Sequence, residues 1–172
     1  TAATKYVSDE LLSYEADRKI RIRFSLMPQR LSTKLEPGTS KIIDRIKAIN
    51  KYYDVGYDVH VNYSPVIMYE DHKDDYNDLF ELIDKHVNND IKPDVKAESI
   101  FLTHNVKMHK YNIDNNIKGE KHLWKPNIQE SKVSQYGSKN IRYKYKLKRK
   151  YINDFTDNHK NIIPWQKIRY IF

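Results

Sequence analysis

Alternation of apolar and polar side chains organises this chain. Ile20-Arg21-Ile22-Arg23-Phe24-Ser25-Leu26 places an apolar residue at every second position, the period of a strand with one buried face. Val59-His60-Val61-Asn62-Tyr63 repeats the pattern, Glu98-Ser99-Ile100-Phe101-Leu102-Thr103 gives a more apolar version, and Ile168-Arg169-Tyr170-Ile171-Phe172 closes the chain. Arg21, Val59 and Ala97 fall at a regular interval of 38 residues.

Helical stripes fill the gaps. Ile42-Ile43, Ile46, Ile49 and Tyr53 share one helical face, with Gly56 where a C-terminal stop belongs. Tyr76, Leu79-Phe80, Ile83 and Val87 form a second stripe, and Asp74-Asp75 precede it at the positive end of the helix dipole. Leu11-Leu12 mark a shorter helix within Ser8 to Ala16, and a long helix runs from about Lys144 to Ile162 with Tyr151, Phe155 and Ile162 among its apolar positions. Glu36-Pro37-Gly38-Thr39-Ser40 reads as a turn, with Ser40 as N-cap of the following helix.

The resulting order is β-α-β-α-β-α-β, a less regular basic stretch, a helix and a final strand. Strands and helices alternating at this spacing predict an α/β fold with a parallel sheet. Its natural form is the second half of a β/α barrel, with a small doubly wound sheet as the alternative. Either fold delivers ligand groups at the carboxyl ends of its strands. The residues so placed are Lys5 and Tyr6, Ser25 to Met27, Tyr63 to Val66, and Thr103 to Asn105. Singly each reads as a loop residue; convergence on one face of the sheet is what gives them weight.

Composition narrows the chemistry. The 172 residues include no cysteine, which removes disulfides, thiolate nucleophiles, Cys-ligated zinc and a self-supplied iron–sulfur cluster. No apolar run approaches the roughly 18 residues needed to cross a bilayer, and no signal peptide opens the chain, so a cytoplasmic location without a membrane partner is expected. Thr1-Ala2-Ala3-Thr4-Lys5-Tyr6 enters directly into a strand, which fits either an excised initiator Met or a segment of a longer protein.

Lys and Arg number 31 against 23 Asp and Glu, a formal charge of +8. The surplus concentrates between Ser131 and Asn153, where Lys132, Lys139, Arg142, Lys144, Lys146, Lys148, Arg149 and Lys150 occur without an acidic residue. Tyr136, Tyr143, Tyr145 and Tyr151 interleave with them. Cations neutralise phosphates and tyrosine rings stack on unpaired bases, so this mixture suits nucleic acid, although a solvated helix face has the same composition. Other motifs are poorer. His104 and His109 lie five residues apart, off a common helical face, which argues against a metal site. Glu70-Asp71-His72 and Asp74-Asp75 read as a solvated helix entrance, and no Walker, G-x-G-x-x-G, nucleophile-elbow or H-E-x-x-H motif occurs.

Ala3-Thr4-Lys5-Tyr6, Arg21-Ile22-Arg23-Phe24-Ser25 and Leu35-Glu36-Pro37-Gly38-Thr39-Ser40 together resemble the spore photoproduct lyase family of radical S-adenosylmethionine enzymes. The resemblance continues through Ala48, Gly56-Tyr57, Ser64 to Glu70 and Tyr76 to Phe80, and resumes at Gln135-Tyr136-Gly137, Arg142-Tyr143 and Ile168 to Phe172. It covers essentially the whole chain but only the C-terminal part of the family's length.

The resemblance implies a partial β/α barrel of the radical S-adenosylmethionine type, with a basic hairpin and helix and a final C-terminal strand. Residues 1–126 would be the barrel half, and 127–172 the part contacting DNA. It implies repair of a UV-induced thymine photoproduct in DNA by 5′-deoxyadenosyl radical chemistry. That chemistry uses S-adenosylmethionine and a [4Fe–4S] cluster held by a C-x3-C-x2-C motif. Lys5 and Ser25 match residues that contact S-adenosylmethionine from successive strand ends. Tyr136 matches the aromatic wedge of a β-hairpin that helps extrude the lesion, with Gln135 where the family has an arginine. Lys139, Arg142, Tyr143, Lys144 and Lys146 would then contact the DNA. The cluster cysteines and the family's cysteine hydrogen donor would lie upstream in a missing N-terminal half, so this segment alone would be inactive. The alternative is a non-catalytic basic nucleic-acid-binding module.

Overall fold

The computed structural model of the chain describes residues 2–133, 137 and 139–172. Its elements are β1 (Ala2–Thr4), a short 3-10 turn at Asp9–Ser13, β2 (Arg21–Ser25), α1 (Gln29–Leu35), α2 (Ile42–Asp54), β3 (Asp58–Val66), α3 (His72–His86) and β4 (Ala97–Phe101). There follow β5 (Thr103–His104), α4 (Val106–Asp114), α5 (Glu120–Leu123), β6 (Gln129–Val133), β7 (Lys139–Tyr143), α6 (Tyr145–Ile162) and β8 (Ile168–Ile171).

A five-stranded sheet in the order β1-β2-β3-β4-β8 carries the molecule, and every pairing in it is parallel. Each new strand joins on the same side as the last. With right-handed crossovers, that order sends the connecting helices to one face of the sheet. The helices accordingly lie side by side, α2 against α3 and α3 against α6. A doubly wound sheet needs its strand order to reverse, and this order does not. The half-barrel expectation is therefore the one the topology fits, with β1 and β8 as its edges.

The helix-facing side is apolar. Ile22 and Phe24 of β2 stand in register with Val59 and Val61 of β3, and all four are buried. Phe24 meets Tyr52 of α2 edge-to-face at 5.1 Å. Further along, Tyr63, Tyr76, Phe80 and Phe155 pack edge-on, with centroids between 5.4 and 5.7 Å for Tyr63–Phe80, Tyr63–Phe155, Tyr76–Phe155 and Phe80–Phe155. Such pairs add about 0.5–1.5 kcal/mol each beyond the area they bury. Gly56 ends α2 at φ +90, a conformation that a side chain resists, and its amide bonds back to the Tyr53 carbonyl.

Three sequence expectations need correction. Tyr52, rather than Tyr53, is the core aromatic of α2; Tyr53 lies at the margin with its hydroxyl on Asp94 at 2.6 Å. Ser40 does not cap α2: its hydroxyl accepts from the Val7 amide, and the Ile42 amide donates instead to Gln29 Oε1 at 2.8 Å. The stretch after β4 is more ordered than the weak periodicity indicates, because β5, β7 and β6 form a second, antiparallel sheet. Its β6–β7 pair supplies the expected hairpin, whose Gln135 and Tyr136 lie outside the described residues.

Candidate functional site

The face of the main sheet turned away from the helices is polar. Alternation along β2 puts Arg21, Arg23 and Ser25 there, and register extends their rows across the neighbouring strands. Arg21 aligns with Asp58, Arg23 with His60, and Ser25 with Asn62; Asn62 in turn aligns with Glu98 of β4. Ser25, Asn62 and Glu98 are all buried.

Ion pairs knit these rows together. Arg21 donates to Asp58 at 2.6 Å, and the same carboxylate lies 3.1 Å from His60 Nε2. Glu98 accepts from Arg23 and from the Tyr170 hydroxyl, with Arg169 3.5 Å away. Burial works to raise the Glu98 carboxyl, but the Tyr170 and Arg23 hydrogen bonds and the two guanidinium charges hold it below its ordinary range. Burial lowers His60 and outweighs the opposing pull of Asp58. Not every polar atom is used: Arg23 Nε, His60 Nδ1 and Asn62 Oδ1 are buried without a hydrogen-bond partner among the described residues. Orphaned polar atoms are costly in a finished core and natural on a surface that receives a polar ligand.

At the carboxyl end of β1 and β2, Lys5 and Ser25 are joined through Glu36 and Arg45. The Lys5 ammonium sits 2.7 Å from Glu36 Oε1, and Arg45 Nη1 donates to both Glu36 Oε2 and the Ser25 carbonyl, at 3.0 and 2.8 Å. Arg45 also reaches the Ser40 carbonyl and the hydroxyls of Thr39 and Ser32, so all five guanidinium donors have acceptors. The Lys5 side chain is 43% exposed, so this end of the ion pair is open to solvent. Neither Glu36 nor Arg45 was marked by sequence reasoning. Glu36 looked like a turn residue, and Arg45 occupies a position in α2 that periodicity alone treats as ordinary.

The residues expected on DNA divide. Lys139, Lys144 and Lys146 are exposed, as are Tyr145, Arg149 and Lys150, so the start of α6 and the adjoining strand present a cationic surface. Arg142 is committed to Glu130 at 3.2 Å. Burial lowers Lys148, and the nearby charges of Arg142 and Lys132 add to that shift. Tyr143 is 1% exposed; it accepts from the Met68 amide at 2.8 Å and packs edge-on against Tyr151. It is a core residue tying β7 to the segment that follows β3, and its burial runs against the expected DNA contact there. A further basic cleft of about 410 Å³ is lined by Arg30, Lys34, Lys121, His122 and Lys125, with Glu70 and Asp71. Asp71 and Asp75 pair with Arg30, each at 2.9 Å, which explains the acidic entrance to α3 as an ion-pair anchor.

His104 and His109 converge, against the spacing argument. They do not share a helix: His104 is on β5 and His109 on α4, and both reach the buried Glu120 of α5. Burial works to raise the Glu120 carboxyl, but hydrogen bonds from Asn112, His109 and His104 hold it low.

Two cofactors fit this chain differently. The polar sheet face and the Lys5 ammonium suit a polar, carboxylate-bearing molecule such as S-adenosylmethionine. An iron–sulfur cluster does not fit, because the sequence offers it no thiolate.

Known proteins give this geometry a context. A family model described as spore photoproduct lyase matches residues 2–172. The spore photoproduct lyase of Bacillus subtilis (strain 168) is 33% identical over 92 residues, covering 54% of this chain and 27% of that protein. A solved cysteine-to-alanine mutant of spore photoproduct lyase with dinucleoside spore photoproduct has a TM-score of 0.87 at 22% identity, covering 99% of this chain and 50% of that one. A related double mutant with bound AdoMet and the same dinucleoside has a TM-score of 0.84, also at 22% identity, covering 98% of this chain and 49% of that one. The chain therefore spans about half the length, or less, of the proteins it matches. Since the family model spans residues 2–172, from the first residue of β1 past the end of β8, this chain belongs to the spore photoproduct lyase family.

Proposed function

We propose that this chain forms the cofactor- and DNA-facing half of a lyase that repairs UV-induced thymine photodamage by radical chemistry. The observation that carries the reading is the row Ser25–Asn62–Glu98, with unpartnered buried atoms on Asn62 and on neighbouring His60 and Arg23. Such a face is built to receive a polar ligand rather than another layer of protein. S-adenosylmethionine, once reduced at a cluster, supplies the hydrogen-abstracting radical. The chain's own residues would position it. Lys5 would take the cofactor's carboxylate as Glu36 holds the ammonium in place, and the Ser25 hydroxyl would bond to its polar groups. Tyr136, which falls between β6 and β7 in the sequence, would act as the aromatic wedge that draws the lesion from the stack. Exposed Lys139, Lys144 and Lys146 would hold the flanking phosphates.

With no cysteine of its own, the chain would need a cluster-bearing segment to turn over. The test is anaerobic. The chain is combined with such a segment and S-adenosylmethionine, and 5′-deoxyadenosine release and thymine recovery are followed on UV-irradiated DNA. Lys5→Ala and Asn62→Ala should each weaken cofactor binding and release. Unchanged cofactor affinity in both would overturn the reading.

The exposed cations of α6 favour a second reading, a non-catalytic DNA-binding module. It predicts strongly salt-dependent DNA binding by this chain with no response to S-adenosylmethionine.

A further inference from the structure

We propose that His104, His109 and Glu120 form a binding site for a divalent transition-metal ion of the zinc class, which fastens the hairpin sheet to α4 and α5. This inference does not depend on the lyase reading. The three side chains come from three elements, β5, α4 and α5, and their potential ligand atoms all lie within 4.8 Å of one another. His104 Nε2 and His109 Nδ1 point at the same oxygen, Glu120 Oε1, at 3.0 and 2.5 Å. A tetrahedral ion with bonds of about 2.0–2.2 Å separates its ligands by about 3.3 Å, so each histidine–carboxylate contact need lengthen by less than about 1 Å to admit one.

The surroundings match those of a metal centre. Asn112 Nδ2 donates to Glu120 Oε2, fixing the carboxylate and leaving Oε1 for the ion. The His109 ring stacks on Trp124, with centroids 3.9 Å apart and planes 10° from parallel. Trp124 also meets the edge of His104 at 6.0 Å. Both rings are thus held in plane, so little ordering entropy opposes binding. Two imidazoles and one carboxylate suit zinc, cobalt or nickel better than the oxygen-seeking magnesium or calcium. The His109 side chain is 26% exposed, which gives an ion and a water ligand access. Each ring would carry its proton on the nitrogen facing away from the ion when metal is bound, and on the nitrogen facing Glu120 when it is not. Because β5 pairs with β7, an ion here would tie the hairpin's sheet to both helices.

Titration of the full chain with Co²⁺, read by visible d–d absorption, tests the site. One equivalent should bind, Zn²⁺ should displace it, and Zn²⁺ should raise the melting temperature. His109→Ala should weaken Co²⁺ binding by more than tenfold and abolish the Zn²⁺-dependent melting shift, and Asn112→Ala should weaken binding by about 10–100-fold. His86→Ala, outside the cluster, should change neither. Glu120→Gln is the more direct change but removes a buried charge, so the partly exposed His109 supplies the decisive variant. Absence of a stoichiometric Co²⁺ signal would overturn the proposal, as would equal affinity in His109→Ala, and either would leave the cluster as a buried hydrogen-bond network only.

Discussion

Arg45 and Glu36 form an ion pair at 3.0 Å in which neither side chain meets solvent, the exposures being 0% and 3%. The pair sits beneath the carboxyl ends of β1 and β2, and Glu36 spends its second oxygen on Lys5. The placement of the Lys5 ammonium thus depends on a guanidinium buried one layer below it.

Replacing that guanidinium leaves a buried carboxylate with only Lys5 to balance it. Arg45→Met should cost about 3–5 kcal/mol in a denaturant unfolding experiment, as expected when one partner of a buried pair is lost. It should also weaken S-adenosylmethionine binding by displacing Lys5. A loss below about 1 kcal/mol would mean that the network is not what holds this end of the sheet.

Glu98 makes the polar face sensitive to acid. Its carboxyl titrates lower in the folded chain than in the unfolded one. Its stabilisation is therefore present above the ordinary glutamate range and disappears as pH falls through the lower folded value. Urea midpoints for wild type and Glu98→Gln should differ at neutral pH and converge below about pH 4. A difference that stays constant from pH 7 to pH 3 would contradict the ion-pair assignment.

Tyr143 and the exposed cations should separate stability from the proposed DNA binding. Tyr143→Phe strands the buried Met68 amide and should cost about 1–3 kcal/mol with little change in DNA affinity. The double variant Lys146→Ala with Arg149→Ala should do the reverse. Stability should hold, and the slope of log affinity against log salt should shallow by about 0.9 for each duplex phosphate contact removed. Fluorescence anisotropy at several salt concentrations distinguishes the two variants.

Gly119 is a packing contact between α1 and the entrance to α5. A Cβ there would lie 2.5 Å from Leu35 Cδ2 and 2.9 Å from the Lys34 carbonyl oxygen. Gly119→Ala should destabilise by about 1–3 kcal/mol through overpacking. It should also shift Glu120 relative to His104 and His109, visible as changed histidine proton resonances in NMR. Unchanged stability and spectra would show that α5 absorbs the methyl group.

Local pattern alone determined much of this protein. The period-2 runs at Arg21–Ser25 and Val59–Tyr63 marked parallel strands with one apolar face, and the stripes of α2 and α3 marked the helices covering it. Periodicity worked there because burial on one side of a regular element writes itself into consecutive residues. The ordered motifs likewise carried the family resemblance. Tertiary structure decided what periodicity does not encode. It sent Arg45 to an ion pair beneath the sheet and Tyr143 to the core. It also joined His104 and His109 on one carboxylate, although a helical count from one to the other keeps them apart. Each of those contacts depends on how separate elements meet, and a buried charge or hydroxyl is stable only where partners distant in sequence come within hydrogen-bond reach.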